Sequence, residues 1–184
     1  MMDRTELMAL SSDAALKHGL PPALVQALCL VESGWNTFAF NPEPRYRFLW
    51  DVKKNLPFRS LTPEEVASNT PPGDFPALAG DRDQEWQLQR GSLGLMQTMG
   101  AVSREEGFTG GFLTELTMPG VALEFGCRHL ARFAKRFLAE HGWEGVMMAY
   151  NGGPGALKAM SNPEYPAKIL AALDGTWPAA TLGA

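Results

Sequence analysis

Cysteines, alternating strand patterns and long apolar runs are all scarce in this 184-residue sequence, and each shortage excludes a class of protein. The two cysteines, Cys29 and Cys127, lie far apart in the chain and form no CxxC pair, which excludes the common zinc and dithiol motifs. Both have apolar neighbours, so we predict two buried free thiols. The longest apolar run, residues 23–31, is interrupted by Gln26 and is too short to cross a bilayer, so we expect no membrane insertion.

The chain also lacks an excess of basic residues. It has 16 Lys and Arg against 20 Asp and Glu, a net charge of −4, whereas nucleic-acid-binding proteins usually carry the opposite sign. No nucleic-acid partner is therefore expected. The first residues carry charges at positions 3, 4 and 6 without a continuous apolar segment, so no secretory signal peptide is visible. We expect the protein to act where it is made or to be delivered by another route.

Helical periodicity, by contrast, recurs along the sequence. Apolar residues spaced three and four apart predict an amphipathic helix over residues 3–18, closed by Gly19. A second helix starts at the Pro21-Pro22 pair and is apolar almost all round, which indicates a buried central helix. The remaining helices are predicted at about 95–106, 119–141, 143–150 and 162–173. We therefore predict a single all-α domain that spans residues 1–184.

Residues 37 to about 90 form the irregular part of the chain, because prolines interrupt them repeatedly. Their aromatic residues need burial, so we interpret this segment as an insertion folded onto the domain rather than as a linker. Thr62 and Glu65 have the spacing of a capping box, which predicts the start of a short helix. The predicted core of the domain then consists of residues 3–36 and 91–173.

Several catalytic and metal-binding templates are missing. The histidines, at positions 18, 129 and 141, are scattered and form no HExxH pattern, so each is interpreted as structural. The glycine-rich residues 152–155 lack the lysine and hydroxyl of a phosphate loop and predict a turn instead. We expect neither a metal nor an organic cofactor.

One carboxyl group has a distinctive position. Glu32 ends the apolar second helix, where burial raises the pKa of a carboxyl group and the helix dipole acts in the same direction. A carboxyl that keeps its proton near neutral pH can act as a general acid, which cleavage of a glycosidic bond requires. Taken alone, however, Glu32 is better explained as a residue that forms a hydrogen bond at a helix end.

Three short motifs in a fixed order change this interpretation. Residues 32–36 read ESGWN and fit E-S-x-x-N, residues 94–97 read GLMQ, and residues 149–155 read AYNGGPG, with Tyr165 further along the chain. In this order they resemble the soluble lytic transglycosylase (SLT) family, whose catalytic domain has the goose-type lysozyme fold. The resemblance covers residues 23–36 and 91–173.

The resemblance implies a role for each matching residue, and the family's single catalytic glutamate falls on Glu32. The other positions hold the loop after the glutamate (Ser33, Asn36), line the sugar cleft (Met96, Gln97), face the acid (Tyr150, Asn151) and close the site (Tyr165). Amide and phenol groups suit the hydroxyl and N-acetyl groups of an aminosugar chain. Two of these side chains have an alternative explanation: Met96 can be a core residue, and Tyr165 can serve packing alone.

The implied activity is cleavage of peptidoglycan strands between N-acetylmuramic acid (MurNAc) and N-acetylglucosamine (GlcNAc), with a 1,6-anhydro product. Two alternatives stay open. A goose-type-like lysozyme would hydrolyse the bond with a second carboxylate, and our first choice for it is Asp51 among the candidates Glu43, Asp51, Asp74, Asp81, Asp83 and Glu85. A non-catalytic sugar-binding virion module would keep the fold without turnover.

The sequence departs from the family pattern in two ways. Leu88 stands where family members usually have a serine, and the insertion is much longer than the usual connection. The insertion is reminiscent of transglycosylase domains from bacteriophages or prophages, so we expect delivery to the bacterial cell wall by a virion or a holin. Because no coiled-coil seam is visible, a monomer is expected.

Overall fold

The computed structural model describes residues 2–159 and 161–183, and the chain divides into two compact units. The first unit comprises residues 1–35 and 126–184, and the second comprises residues 36–125. The second unit thus combines the predicted insertion with residues 91–125, which the sequence had suggested belong to the core. The prediction of a single domain stays a prediction. Helices dominate the regular structure and the strands are short, so the predicted all-α class is confirmed as a mostly helical fold.

The first unit begins with two helices that pack against each other, α1 (Arg4–Lys17) and α2 (Pro22–Ser33). Asp3 caps α1, because its carboxylate accepts a 2.9 Å hydrogen bond from the Glu6 N–H while the Glu6 carboxylate accepts one of 2.7 Å from the Asp3 N–H. Both helices lie within two residues of their predicted bounds, and Gly19 follows α1 with a φ of 66°.

Helices α6 to α8 close the chain, at Pro119–Gly152, Gly155–Ala159 and Glu164–Ala172. Gly142 has a non-helical conformation (φ 60°, ψ −174°) inside α6, so this element consists of two helical segments, as predicted. Residues 119–125 of α6 belong to the second unit, and the remainder belongs to the first. Cys29 on α2 and Cys127 on α6 are both free and buried, which confirms the thiol prediction.

The second unit contains all the strands that the described residues form. Its elements are β1 (Phe40–Pro42), β2 (Trp50–Asp51), β3 (Leu56–Pro57), α3 (Pro63–Ala67), α4 (Arg82–Gln89), β4 (Gly91–Leu93), β5 (Thr98–Met99), α5 (Gly100–Glu105) and a 3-10 helix (Leu113–Thr117). Strands β1, β4 and β5 form an antiparallel sheet in the order β1-β4-β5, and β2 pairs with β3. The capping box at Thr62 and Glu65 is present at the start of α3, as predicted.

The predicted helix over residues 95–106 is wrong at its start, since the helix begins only at Gly100. Gly94 (φ 71°) and Gln97 (φ 45°) adopt the left-handed conformation, which interrupts a helix and forms the turn between β4 and β5. A Cβ atom on Gly94 would lie 2.2 Å from the carbonyl oxygen of Leu116, so only glycine fits there. This turn requirement overrides the apolar spacing that suggested a helix.

The insertion packs around a mainly aromatic core. Phe75 and Trp86 are buried with their ring centroids 5.1 Å apart in an edge-on arrangement, and Phe58 lies 5.2 Å from Phe75. Leu49 and Ala101, the latter from α5, also belong to this cluster. The insertion is therefore a folded segment, as its aromatic content indicates, although Phe48 is 71% exposed.

Candidate active site

Glu32 lies in the last turn of α2, immediately before the residues that end the helix. Gly34 adopts the left-handed conformation (φ 58°) that commonly terminates helices. Ser33 adds a local bond, because its hydroxyl donates to the Cys29 carbonyl oxygen at 3.0 Å. These contacts stabilise the end of the helix that carries Glu32. The glutamate itself is half-buried, so part of its side chain stays accessible.

Tyr165 is the hydrogen-bond partner of Glu32, and its hydroxyl donates to Glu32 Oε1. This tyrosine lies in the first turn of α8, which packs against α2, and it is 6% exposed. The structure thus brings together two predicted site residues that are 133 positions apart in the chain.

Burial sets the protonation of this pair. It raises the pKa of Glu32, and the hydrogen bond from Tyr165 acts in the opposite direction without cancelling the effect. The pKa of Tyr165 is raised well above its usual value, first by burial and then by the neighbouring Glu32 and Tyr150. The phenol therefore remains a neutral donor, and the carboxyl keeps its proton to higher pH than a free glutamate.

Tyr150 and Asn151 lie at the end of α6 in the same unit. Asn151 Oδ1 accepts a 2.9 Å hydrogen bond from Asn162 Nδ2, which links the end of α6 to the segment that precedes α8. The Tyr150 ring lies 5.4 Å from the ring of His129, measured between centroids. Sequence reasoning missed this contact of His129, because helical spacing relates it to Phe133 but no local pattern relates it to Tyr150.

Met96 and Gln97 lie in the second unit, on the turn between β4 and β5. The amide nitrogen of Gln97 donates to the carbonyl oxygens of Ala39 (3.1 Å) and Gly94 (2.9 Å). Its amide oxygen accepts a bond of 3.1 Å from the Ser92 hydroxyl. Met96 is fully buried, which favours the core role that the sequence left open for it. Sugar binding by either residue stays a prediction.

Asp51, the first choice for a second catalytic carboxylate, closes the turn between β2 and β3. Its Oδ1 accepts hydrogen bonds of 3.0 Å from the backbone N–H groups of Lys53 and Lys54, and Oδ2 lies 3.3 Å from Lys54 Nζ. Burial raises the pKa of Asp51, but these N–H groups and the ammonium outweigh burial and hold the pKa below its usual value. These contacts give Asp51 a structural role in the turn, and no catalytic role is needed to explain its position.

Most other carboxylates proposed from the insertion are also engaged within the second unit. Glu85 forms a buried, two-bond ion pair with Arg104, at 2.9 and 2.8 Å. Asp74 pairs with Arg59 at 2.7 Å, and Asp81 caps α4 by accepting a 2.9 Å bond from a backbone N–H. These acids therefore stabilise the local fold.

Neither a metal cluster nor a membrane span is present in the described residues. Within residues 2–159 and 161–183, no three His, Cys, Asp or Glu side chains are grouped so that they could hold a metal ion. Over the same ranges, no helix has the combination of length and apolarity that crossing a bilayer needs.

The mostly helical fold, with a half-buried acid at the end of an apolar helix, is consistent with a lysozyme-like domain. The family model described as "Transglycosylase SLT domain" matches residues 9–171, so the chain belongs to that family, which confirms the resemblance. The SLT family comprises lytic transglycosylases that act on peptidoglycan, the polymer of the bacterial cell wall. No curated protein and no solved structure matched the chain.

Proposed function

We propose that this chain is a lytic transglycosylase that cleaves the β-1,4 bond between MurNAc and GlcNAc and leaves a 1,6-anhydro-MurNAc end. The hydrogen bond from Tyr165 to Glu32 carries the proposal. A half-buried carboxyl group can hold its proton near neutral pH. Its neutral hydrogen-bond partner can then stabilise the carboxylate after the proton leaves.

In the first step, Glu32 donates its proton to the oxygen that bridges the two sugars. The bond between this oxygen and the anomeric carbon of MurNAc breaks, and both electrons stay on the oxygen of the departing GlcNAc. The acetamido oxygen of MurNAc stabilises the positive charge on the anomeric carbon, so no second carboxylate is needed. Because Tyr165 donates to Oε1, it stabilises the carboxylate that forms on Glu32.

In the second step, the Glu32 carboxylate takes the proton from the 6-hydroxyl of MurNAc. The hydroxyl oxygen then forms a bond to the anomeric carbon and closes the anhydro ring. Glu32 is again protonated and no water is consumed. One group thus acts first as acid and then as base, as microscopic reversibility allows.

The remaining motif residues would bind or position the sugar. We assign Ser33 to the helix end, where its bond to Cys29 holds the turn that carries Glu32. Tyr150 and Asn151 would contact the sugar next to the acid. For Gln97 to bind sugar, an acetamido group would have to replace one of its present partners, and the fully buried Met96 would support the turn that carries Gln97.

Product analysis tests the proposal directly. Purified sacculi are digested with the wild-type chain and with Glu32→Gln, which keeps the shape and the Tyr165 contact but carries no acidic proton. We expect anhydro ends from the wild type, seen by mass spectrometry, and at least about 10²-fold less soluble product from the variant in the same time. Reducing ends would instead indicate a hydrolase, and binding to sacculi without release would indicate a non-catalytic module. The monomeric state and delivery by a virion or holin stay predictions.

A further inference from the structure

A pocket of about 600 Å³ in the second unit is lined by three arginines and by no acidic residue. Arg45, Arg47 and Arg90 are accompanied there by Pro44, Leu61, Pro63, Val66, Ala67 and Asn69. We call this site the arginine pocket. Its local charge is opposite in sign to the net charge of −4 on the whole chain.

Arg90 carries a buried charge without an acidic partner. The residue is 4% exposed, and its guanidinium donates to the backbone carbonyl oxygens of Ser68 (2.8 Å), Val66 (2.5 Å) and Pro44. Its Nε–H is buried and has no hydrogen-bond partner among the described residues. Burial lowers the pKa of Arg90, and no acid acts against this effect. The three carbonyls and the Trp86 ring, whose centroid is 4.6 Å from the guanidinium carbon, offset part of the cost of this buried cation, and a bound anion would supply the missing counter-charge.

The other two arginines are exposed and therefore available to a ligand. Arg47 lies over the ring of Phe48 at 5.6 Å, and within the described part of the chain neither Arg45 nor Arg47 forms an ion pair with an acid. The nearest acids in sequence have other partners, since Glu43 accepts a hydrogen bond from Asn41, and Asp51 accepts backbone N–H groups and lies beside Lys54. The arginine pocket thus presents positive charge that the fold itself leaves without an acidic partner.

We propose that the arginine pocket binds a carboxylate of the peptide stems that peptidoglycan strands carry. The planar guanidinium group matches a carboxylate with two parallel hydrogen bonds, which makes arginine well suited to this ligand. The choice of ligand rests on the proposed function, because a chain that acts on peptidoglycan meets these carboxylates at regular intervals along each strand. Binding of a stem carboxylate in the arginine pocket therefore does not depend on one particular distance between the pocket and Glu32.

Binding is measured on the full chain with Glu32→Gln, so that the ligand is not cleaved. The titrant is soluble glycan strands with intact stems or, in parallel, stem-free strands, from which an amidase has removed the stems and in which the freed lactyl carboxyl groups have been converted to methyl amides. Arg45→Gln/Arg47→Gln is the test variant, because both side chains are exposed and the fold should tolerate the change. Lys53→Gln is the matched control, since Lys53 is an exposed cation of the same unit outside the pocket.

We expect the double variant to bind stem-bearing strands at least about tenfold more weakly and to bind stem-free strands as before. The control should change neither affinity. Equal weakening for both strands, or no weakening at all, would overturn the proposal. Competition by inorganic phosphate, without comparable competition by free stem peptide, would also overturn the proposal, because the pocket would then be a phosphate site. Cleavage of stem-free strands by the chain with Glu32 intact tests the proposed function separately.

Discussion

The buried acids Asp51 and Glu85 of the second unit and the half-buried Glu32 of the first unit have opposite kinds of partner. In the second unit, Glu85 pairs with Arg104, and Asp51 accepts backbone N–H groups and lies beside an ammonium. In the first unit, Glu32 is half-buried and its hydrogen-bond partner is the neutral phenol of Tyr165. Cations and N–H donors keep a carboxylate ionised, whereas burial beside a neutral donor lets it carry a proton. The structural acids and the candidate catalytic acid therefore differ in their hydrogen-bond partners and not in residue type.

The largest expected effect comes from removing the acid of the first unit. We expect Glu32→Gln to lower the cleavage rate by about 10²–10⁴-fold, because general acid catalysis typically contributes that much. Asp51→Asn, its counterpart in the second unit, should retain nearly full activity. The measurement is the initial rate of soluble muropeptide release from sacculi, with circular dichroism to show that both variants fold. Comparable rate losses in Glu32→Gln and Asp51→Asn would contradict the proposal that Glu32 is the single catalytic acid.

Breaking the buried ion pair of the second unit should affect stability instead. Arg104→Met leaves Glu85 buried without its partner, at 3% exposure, so we expect the free energy of unfolding to fall by about 3–5 kcal/mol. Urea denaturation measures the change. The control is the double variant Arg104→Met/Glu85→Gln, which removes both charges and should recover the part of the loss that the unpaired carboxylate causes, but not the part from the lost bonds to the Phe108 and Gly110 carbonyls. A double variant as unstable as the single one would show that the unpaired charge is not the cause.

The hydrogen bond between Tyr165 and Glu32 should have a smaller effect, which appears in the pH dependence. In the wild type, activity requires protonated Glu32, so it should be highest at mildly acidic pH and fall as the pH rises through the raised pKa. Tyr165→Phe removes the one contact that lowers this pKa, so the alkaline limb should move to higher pH, with a rate loss of about tenfold. A pH–rate profile with NMR titration of Glu32 measures both. A limb that moves to lower pH would refute this role.

The smallest expected effect concerns the exposed acid cluster of the second unit. The guanidinium of Arg59 lowers the pKa of Glu65 to about 2 from an ordinary value of 4.5, so this contact stabilises the fold above about pH 4.5 and is lost as the pH falls towards 2. Melting temperatures of the wild type and Glu65→Gln should therefore differ slightly at neutral pH and converge on acidification. High salt should reduce the difference, because exposed pairs are screened. A difference that persists at pH 2 would contradict this account.

The sequence by itself determined the features that depend on neighbours within a few turns. The apolar spacing of α1 with Gly19 after it, the prolines that start α2 and the capping box at Thr62 and Glu65 all act locally, so their helices could be predicted. The same locality placed Glu32 at the end of an apolar helix. The ordered motifs then identified the SLT family, which the family match confirms.

Only the tertiary structure decided which side chains meet. Tyr165 reaches Glu32 across 133 positions, and Arg104 reaches Glu85 across 19, and no periodicity encodes either contact. The turn at Gly94 likewise depends on the carbonyl oxygen of Leu116, which explains why the helix begins at Gly100 rather than at residue 95. Side-chain partners, and with them burial and pKa, arise from packing between distant segments, so the chemistry of each acid became visible only in the folded chain.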